Sequence, residues 1–200
     1  MKTFRLLLIL SSLLFAGCAS NPMMVSGDMA VSKPEEGKSQ VVFMRDSFLG
    51  SAISASLYDV TGSDIVFVGI IANGTKVAYQ TSPGKHTFMV VSEAADFLEA
   101  DFAPGKTYYS IVTPRMGAWK ARFSMWPIKN NPNAEFNIMS ADFEKWKSNT
   151  KVATVTEQAK SWFASNKSSV MAKQNKYWPV WQEKSKADIA KRTFDPEDGL

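Results

Sequence analysis

The sequence predicts a mainly β chain with a C-terminal helix, an α+β class in which a small antiparallel β-sandwich is followed by a long amphipathic, proline-kinked helix. Three observations predict it. Residues 39–128 divide into short apolar or alternating segments separated by Gly, Pro and Asn turns. From about Ser140, proline and glycine vanish until Pro179, and apolar residues recur near helical spacing. The first seventeen residues match neither pattern.

That first segment opens with Lys2 and Arg5 and continues as an apolar run, Leu6 to Phe15, broken only by Ser11 and Ser12. It falls short of the roughly 20 apolar residues a membrane span needs. A positive start, a short apolar core and small residues at the end form the secretory pattern. Phe15-Ala16-Gly17-Cys18 then resembles a lipobox, the processing site of bacterial lipoproteins, with Phe15 where leucine is usual. The resemblance implies cleavage between Gly17 and Cys18 and acylation, palmitate included, on the Cys18 sulfur. Cys18 is the only cysteine, so no internal disulfide can use it. Several acyl chains anchor firmly where one is marginal. By resemblance to Gram-negative lipoproteins, the absence of Asp after Cys18 implies the bacterial outer membrane over the inner, and a periplasm-facing position is the expectation.

Residues 18–38 show no period and are rich in Ser, Gly, Pro and charge, which predicts a lipidated tether. Twenty flexible residues would reach about 25 Å. The strands follow. Gln40–Arg45 centres on Val41-Val42-Phe43. Over 52–58, Ile53, Ala55 and Leu57 share one face, and Ser54, Ser56 and Tyr58 the other. Residues 64–71 are the longest apolar run after the leader, and Asn73-Gly74 behind them predicts a hairpin into Thr75–Gln80. Pro83-Gly84 and Pro104-Gly105 each launch a Lys-led aromatic strand, 86–92 and 107–113, and read as two equivalent hairpin entries. Segment 97–102 sets Leu98, Ala100 and Phe102 against Glu99 and Asp101, and 121–126 is the last strand.

Residues 129–153 read as a connecting segment with a possible short helix, and 154–200 as an amphipathic helix with an exposed acidic tail. Thr154-Val155-Thr156-Glu157 has capping-box form, which predicts a helix start at Thr154. Pro179 should kink that helix or begin a new segment. The helix reads as a separable arm whose loss would leave the sandwich folded.

Val41-Val42-Phe43-Met44-Arg45, Gly84-Lys85-His86-Thr87-Phe88 and Pro104-Gly105-Lys106-Thr107-Tyr108-Tyr109 together resemble a group of uncharacterised proteobacterial lipoproteins carrying one PEGA-like β-sandwich domain. The likeness spans roughly residues 38–128. It implies a sandwich and an envelope location, and no catalytic residues.

The formal charge of +4 shrinks by two once Lys2 and Arg5 leave, and no dense basic stripe argues for nucleic acid. His86, the only histidine, shares a face with Phe88 and Val90, which points to a structural role. An enzyme would need it to work with Glu99 or Asp101. No Gly-x-Ser-x-Gly elbow, phosphate loop or zinc spacing accompanies them. Glu99 and Asp101 read as the wet side of a strand, with Asp96 on the other face. Asp195, Glu197 and Asp198 match no calcium loop. No catalytic residue, metal or cofactor is expected. Six tryptophans are the unusual feature: Trp119, Trp126, Trp146, Trp162, Trp178 and Trp181. Trp162, Trp178 and Trp181 form the candidate contact surface for an envelope protein partner. Trp119 and Trp126 are the candidates for stacking glycan or peptidoglycan, the second expectation.

Overall fold

A computed structural model of the chain describes residues 23–115 and 122–200. Its elements are β1 (Met24–Val25), β2 (Ser39–Arg45), β3 (Ala55–Asp59), β4 (Val66–Ile71), β5 (Thr75–Thr81), β6 (Gly84–Val91), β7 (Ala95–Phe102), β8 (Thr107–Arg115) and β9 (Arg122–Pro127). Then come α1 (Ala141–Asn149), β10 (Lys151–Thr154), α2 (Glu157–Gln182), α3 (Lys186–Ala190), β11 (Thr193–Phe194) and a 3-10 turn, Pro196–Asp198. The chain is therefore mainly β with a long C-terminal helix, as the sequence predicts.

The strands form a six-stranded sheet, β1-β10-β5-β2-β8-β9, and a five-stranded sheet, β11-β7-β6-β3-β4. Alternation along each strand decides what it buries. Val41 and Phe43, Leu57, Phe88 and Val90, Leu98 and Ala100, and Tyr108 and Val112 meet in one core drawn from both sheets. The intervening residues face outward but are not wet. Tyr58, Met89, Val91 and Phe97 pack beneath α2, against Val170 and Trp181. Val42, Met44 and Ile111 pack beneath α1, against Phe143 and Ile128. Each sheet is thus covered on its outer face, and all seven residues of β2 are buried. A strand buried on both faces reads as a continuous apolar run, which is what Val41–Met44 is.

Several sequence expectations are corrected. The sheets are mixed and not purely antiparallel: β2 runs parallel to β8, β10 to β5, and β11 to β7. Asn73-Gly74 does not close a hairpin, because β4 and β5 belong to different sheets. The dipeptide supplies the reversal, with Gly74 at φ +71°, but its backbone bonds go elsewhere: Gly74 N–H to Arg45 O at 2.8 Å, and Lys151 N–H to Gly74 O at 3.0 Å. The two Pro-Gly turns are likewise crossings between sheets, β5 to β6 and β7 to β8, and not hairpin entries.

At the helical end, Thr154 closes β10 and Thr156 is the N-cap of α2, accepting from Ala159 N–H at 3.1 Å. The helix runs on through Pro179 to Gln182 and does not restart there. Pro179 lies in its last turn, so only one bond, to the Asn175 carbonyl, is forgone. The packing of α2 onto Tyr58, Met89 and Phe97 also makes it part of the core and not a separable arm.

The first described residues and the C-terminus are both bound into the fold. Met23 is 4 % exposed and belongs to the shared core, Met24 pairs with Thr154, and Val31 packs near α1. The tether expected over 18–38 is therefore docked from Met23 onward. The acidic tail is not exposed as a whole: Asp198 is buried, accepting from Asn130 and Asp195 N–H groups, and Lys129 Nζ lies 2.8 Å from Asp195 Oδ2. Leu200 exchanges backbone bonds with Thr107.

Candidate functional site

Gly17, Cys18 and Trp119 lie outside the described residues. The described residue nearest the N-terminal site in sequence is Met23, which is packed into the fold. Met23 seats its side chain against Gly69 of β4, whose missing Cβ leaves the room: a Cβ there would lie 3.1 Å from Met23 Cε and from Val77 Cγ1. Gly69 sits beside the bulge between Leu57 and Tyr58. Four residues, 19–22, separate Cys18 from this contact.

All three candidate contact tryptophans pack on this chain's own rings. Trp181 is 2 % exposed, its Nε1 donating to Glu99 Oε1 at 2.9 Å, with Phe97 5.9 Å away. Its burial removes it from any outer surface, because the wet face predicted for β7 is in fact roofed by α2. Trp178 is half-buried, edge-on to Phe97 at 5.0 Å. Trp162 keeps 36 % exposure, its ring 6.3 Å from Phe67. Trp126 donates its Nε1 to Thr113 Oγ1 and lines an open cleft of about 480 Å³ with Phe136, Lys129, Asn133, Glu135 and Lys191. Trp146 packs on Phe136 at 5.9 Å.

His86 pairs with Ala100 in the register of β6 and β7, so it projects from the opposite face to Glu99 and Asp101. The partnership with those two carboxylates that an enzyme would need is not formed. Its partner is Asp59 on β3, with Nδ1 3.2 Å from Oδ2. Nε2 lies 2.8 Å from Ser82 O, and the ring stacks between Phe88 and Phe102. A carbonyl and a carboxylate both only accept, so the site favours a ring that donates from both nitrogens, with the Thr61 and Thr81 hydroxyls also 3.2 and 3.4 Å from Nδ1 and Nε2. Burial pushes the His86 pKa down, but the Asp59 bond, the Ser82 carbonyl and the Asp59 charge outweigh it, and the net shift is upward. Asp59 is opposed by burial too, yet His86 and both groups of Thr61 hold it below the usual carboxylate range. Both ring nitrogens are engaged within the fold.

Sequence reasoning missed two buried arginines. Arg45 donates to the Gly50 and Ile53 carbonyls and lies over the Phe123 ring at 4.2 Å, and burial lowers its pKa to about 10. Arg192 binds Asp96, Met125 O and Phe97 O beside Trp126, joining both sheets to the C-terminal segment. The only sequence signal was the arginine ending an apolar strand. Among the described residues, no three His, Cys, Asp or Glu side chains gather as a metal site. No described helix is long and apolar enough to cross a membrane. The chain matches no protein-family model and no characterised protein in sequence comparison.

Proposed function

We propose that this chain is a bacterial envelope lipoprotein, held to the outer membrane by acyl chains on Cys18 and facing the periplasm, with a non-enzymatic structural or protein-interaction role. The observation that carries the reading is Phe15-Ala16-Gly17-Cys18 behind a positive, then apolar, leader, in a chain with one cysteine. We further infer that the two sheets are the halves of a β-sandwich related to the PEGA-like lipoprotein domains. Their shared core supports this reading.

Labelling cells with a palmitate analogue tests it. The wild-type chain should take the label and fractionate with membranes, while Cys18→Ser should lose the label and leave the membrane fraction without unfolding residues 23–200. A wild-type chain that stays unlabelled and soluble would refute the proposal. A second reading, binding of glycan or peptidoglycan, is favoured by the cleft at Trp126 and Phe136, where an aromatic face lies beside Asn133, Lys129 and Glu135. Sedimentation of the soluble domain with purified sacculi, lost in Trp126→Ala, would select this reading over the first.

A further inference from the structure

The position of Met23 constrains more than the anchor. Five residue steps separate Cys18 from Met23, and an extended chain covers at most about 3.6 Å per residue, so Met23 stays within about 18 Å of the acylated sulfur. On the lipoprotein reading, the surface around Met23 is therefore held close to the bilayer. We infer that the exposed apolar side chains Val66, Val155 and Trp162, with Val25 beside them, form a collar that rests in the headgroup region of the bilayer holding Cys18.

Strand direction identifies that surface. β1 runs antiparallel to β10, with Val25 opposite Ala153 and Met24 opposite Thr154. The chain before Met24 therefore continues toward Val155, the residue that joins β10 to the start of α2. Trp162 stands on the second turn of α2 and touches Phe67. Val66 precedes Phe67 at the outer end of β4, the edge strand against which Met23 is seated. Their exposures are 46 % for Val66, 36 % for Val155, 36 % for Trp162 and 45 % for Val25. Single exposed apolar residues are ordinary. Here four surround the point where the link to the lipid arrives, and an indole suits the boundary between water and acyl chains. Phe48 and Leu49 are also exposed, but they follow β2 at the other end of the strands, away from the anchor.

The experiment uses the full, acylated protein. Acylation consumes the only native thiol, so Val155→Cys, Val66→Cys and Ser51→Cys each offer one site for an environment-sensitive fluorophore. The protein is reconstituted into phosphatidylethanolamine–phosphatidylglycerol vesicles containing lipid with a nitroxide at the headgroup. Probes at 155 and 66 should be quenched several-fold, and the probe at 51, in the Phe48 loop, should not. Vesicle-bound protein with all three probes unquenched overturns the collar and leaves the anchor standing. Quenching at 51 alone moves the contact to the Phe48 loop and overturns it as well. A probe at 155 shielded from aqueous iodide but blind to nitroxide lipid means a protein covers the patch, and again overturns it. If the protein is unacylated and does not float with vesicles, the collar falls together with the anchor.

Discussion

His86 shows how one residue can carry a pH dependence without catalysing anything. Its folded pKa is raised, so its contribution is fully present below the unfolded value of about 6.5 and fades as pH rises through the folded value. Asp59 is shifted the other way, so its share is present above its unfolded value and fades as pH falls through the folded one. The pair is therefore most stabilising in mildly acid solution, between those limits. Both side chains are nearly buried, and hydrogen bonds to charged groups are worth about 1.5–3 kcal/mol. His86→Gln should lower the urea midpoint near pH 5.5 and change it much less near pH 8.5, flattening the profile. Equal losses at both pH values would show that ring packing against Phe88 and Phe102, and not the charge, is what matters.

At the scale of elements, the C-terminal strap makes a sharp prediction. Gly199 has φ −78°, a backbone angle any residue accepts, so its need for glycine is one of space. An added Cβ would lie 2.7 Å from Lys106 Cβ, just before β8, and 2.7 Å from the buried Tyr108 Cζ on it. The strap also depends on Lys106 Nζ to Gly199 O and Tyr108 OH to Pro196 O. Gly199→Ala should cost about 1–3 kcal/mol, the range for overpacking. Leu200→Ala, at an exposed position, should stay within about 0.5 kcal/mol. Urea titration of both variants checks this, and a silent Gly199→Ala would mean the strap is not held against β8. Elements of this kind were the least legible in the sequence. The faces of β3, β6 and β7 follow from alternation, which is local, but what covers each face does not: the side of β7 carrying Glu99 lies under α2. Which strands pair is not local: Asn73-Gly74 specifies a reversal but not a partner. β1, β10 and β11 are two to four residues long and exist only because a neighbour offers an edge. His86 lies 27 residues from Asp59, so no spacing rule joins them. Trp181 drew attention as an aromatic near a proline, but a period of 3.6 says which side of a helix is apolar and not whether that side meets its own sheet.

For the whole molecule, the decisive feature is that the segment at Met23 and the C-terminal segment both complete the core. Met23 closes one edge of it, Phe194 stacks with Phe102 and Tyr108 inside it, and Arg192 bridges β7 and β9. The C-terminal third also supplies the roof over Tyr58, Met89 and Phe97. Removing residues 157–200 therefore does two things at once. It opens the apolar outer face of the five-stranded sheet to water, and it takes Arg192 from Asp96, leaving that carboxylate only Arg115 at 4.0 Å. Stripping one partner from a buried ion pair costs about 3–5 kcal/mol by itself, and a domain of this size has only about 5–15 kcal/mol in total. The truncated chain should lose near-UV circular dichroism and its cooperative urea transition, and it should bind a hydrophobic dye such as ANS. A truncated chain that unfolds cooperatively at the wild-type midpoint would show that the sheets fold without their roof, and α2 would then be free to serve as an arm for a partner.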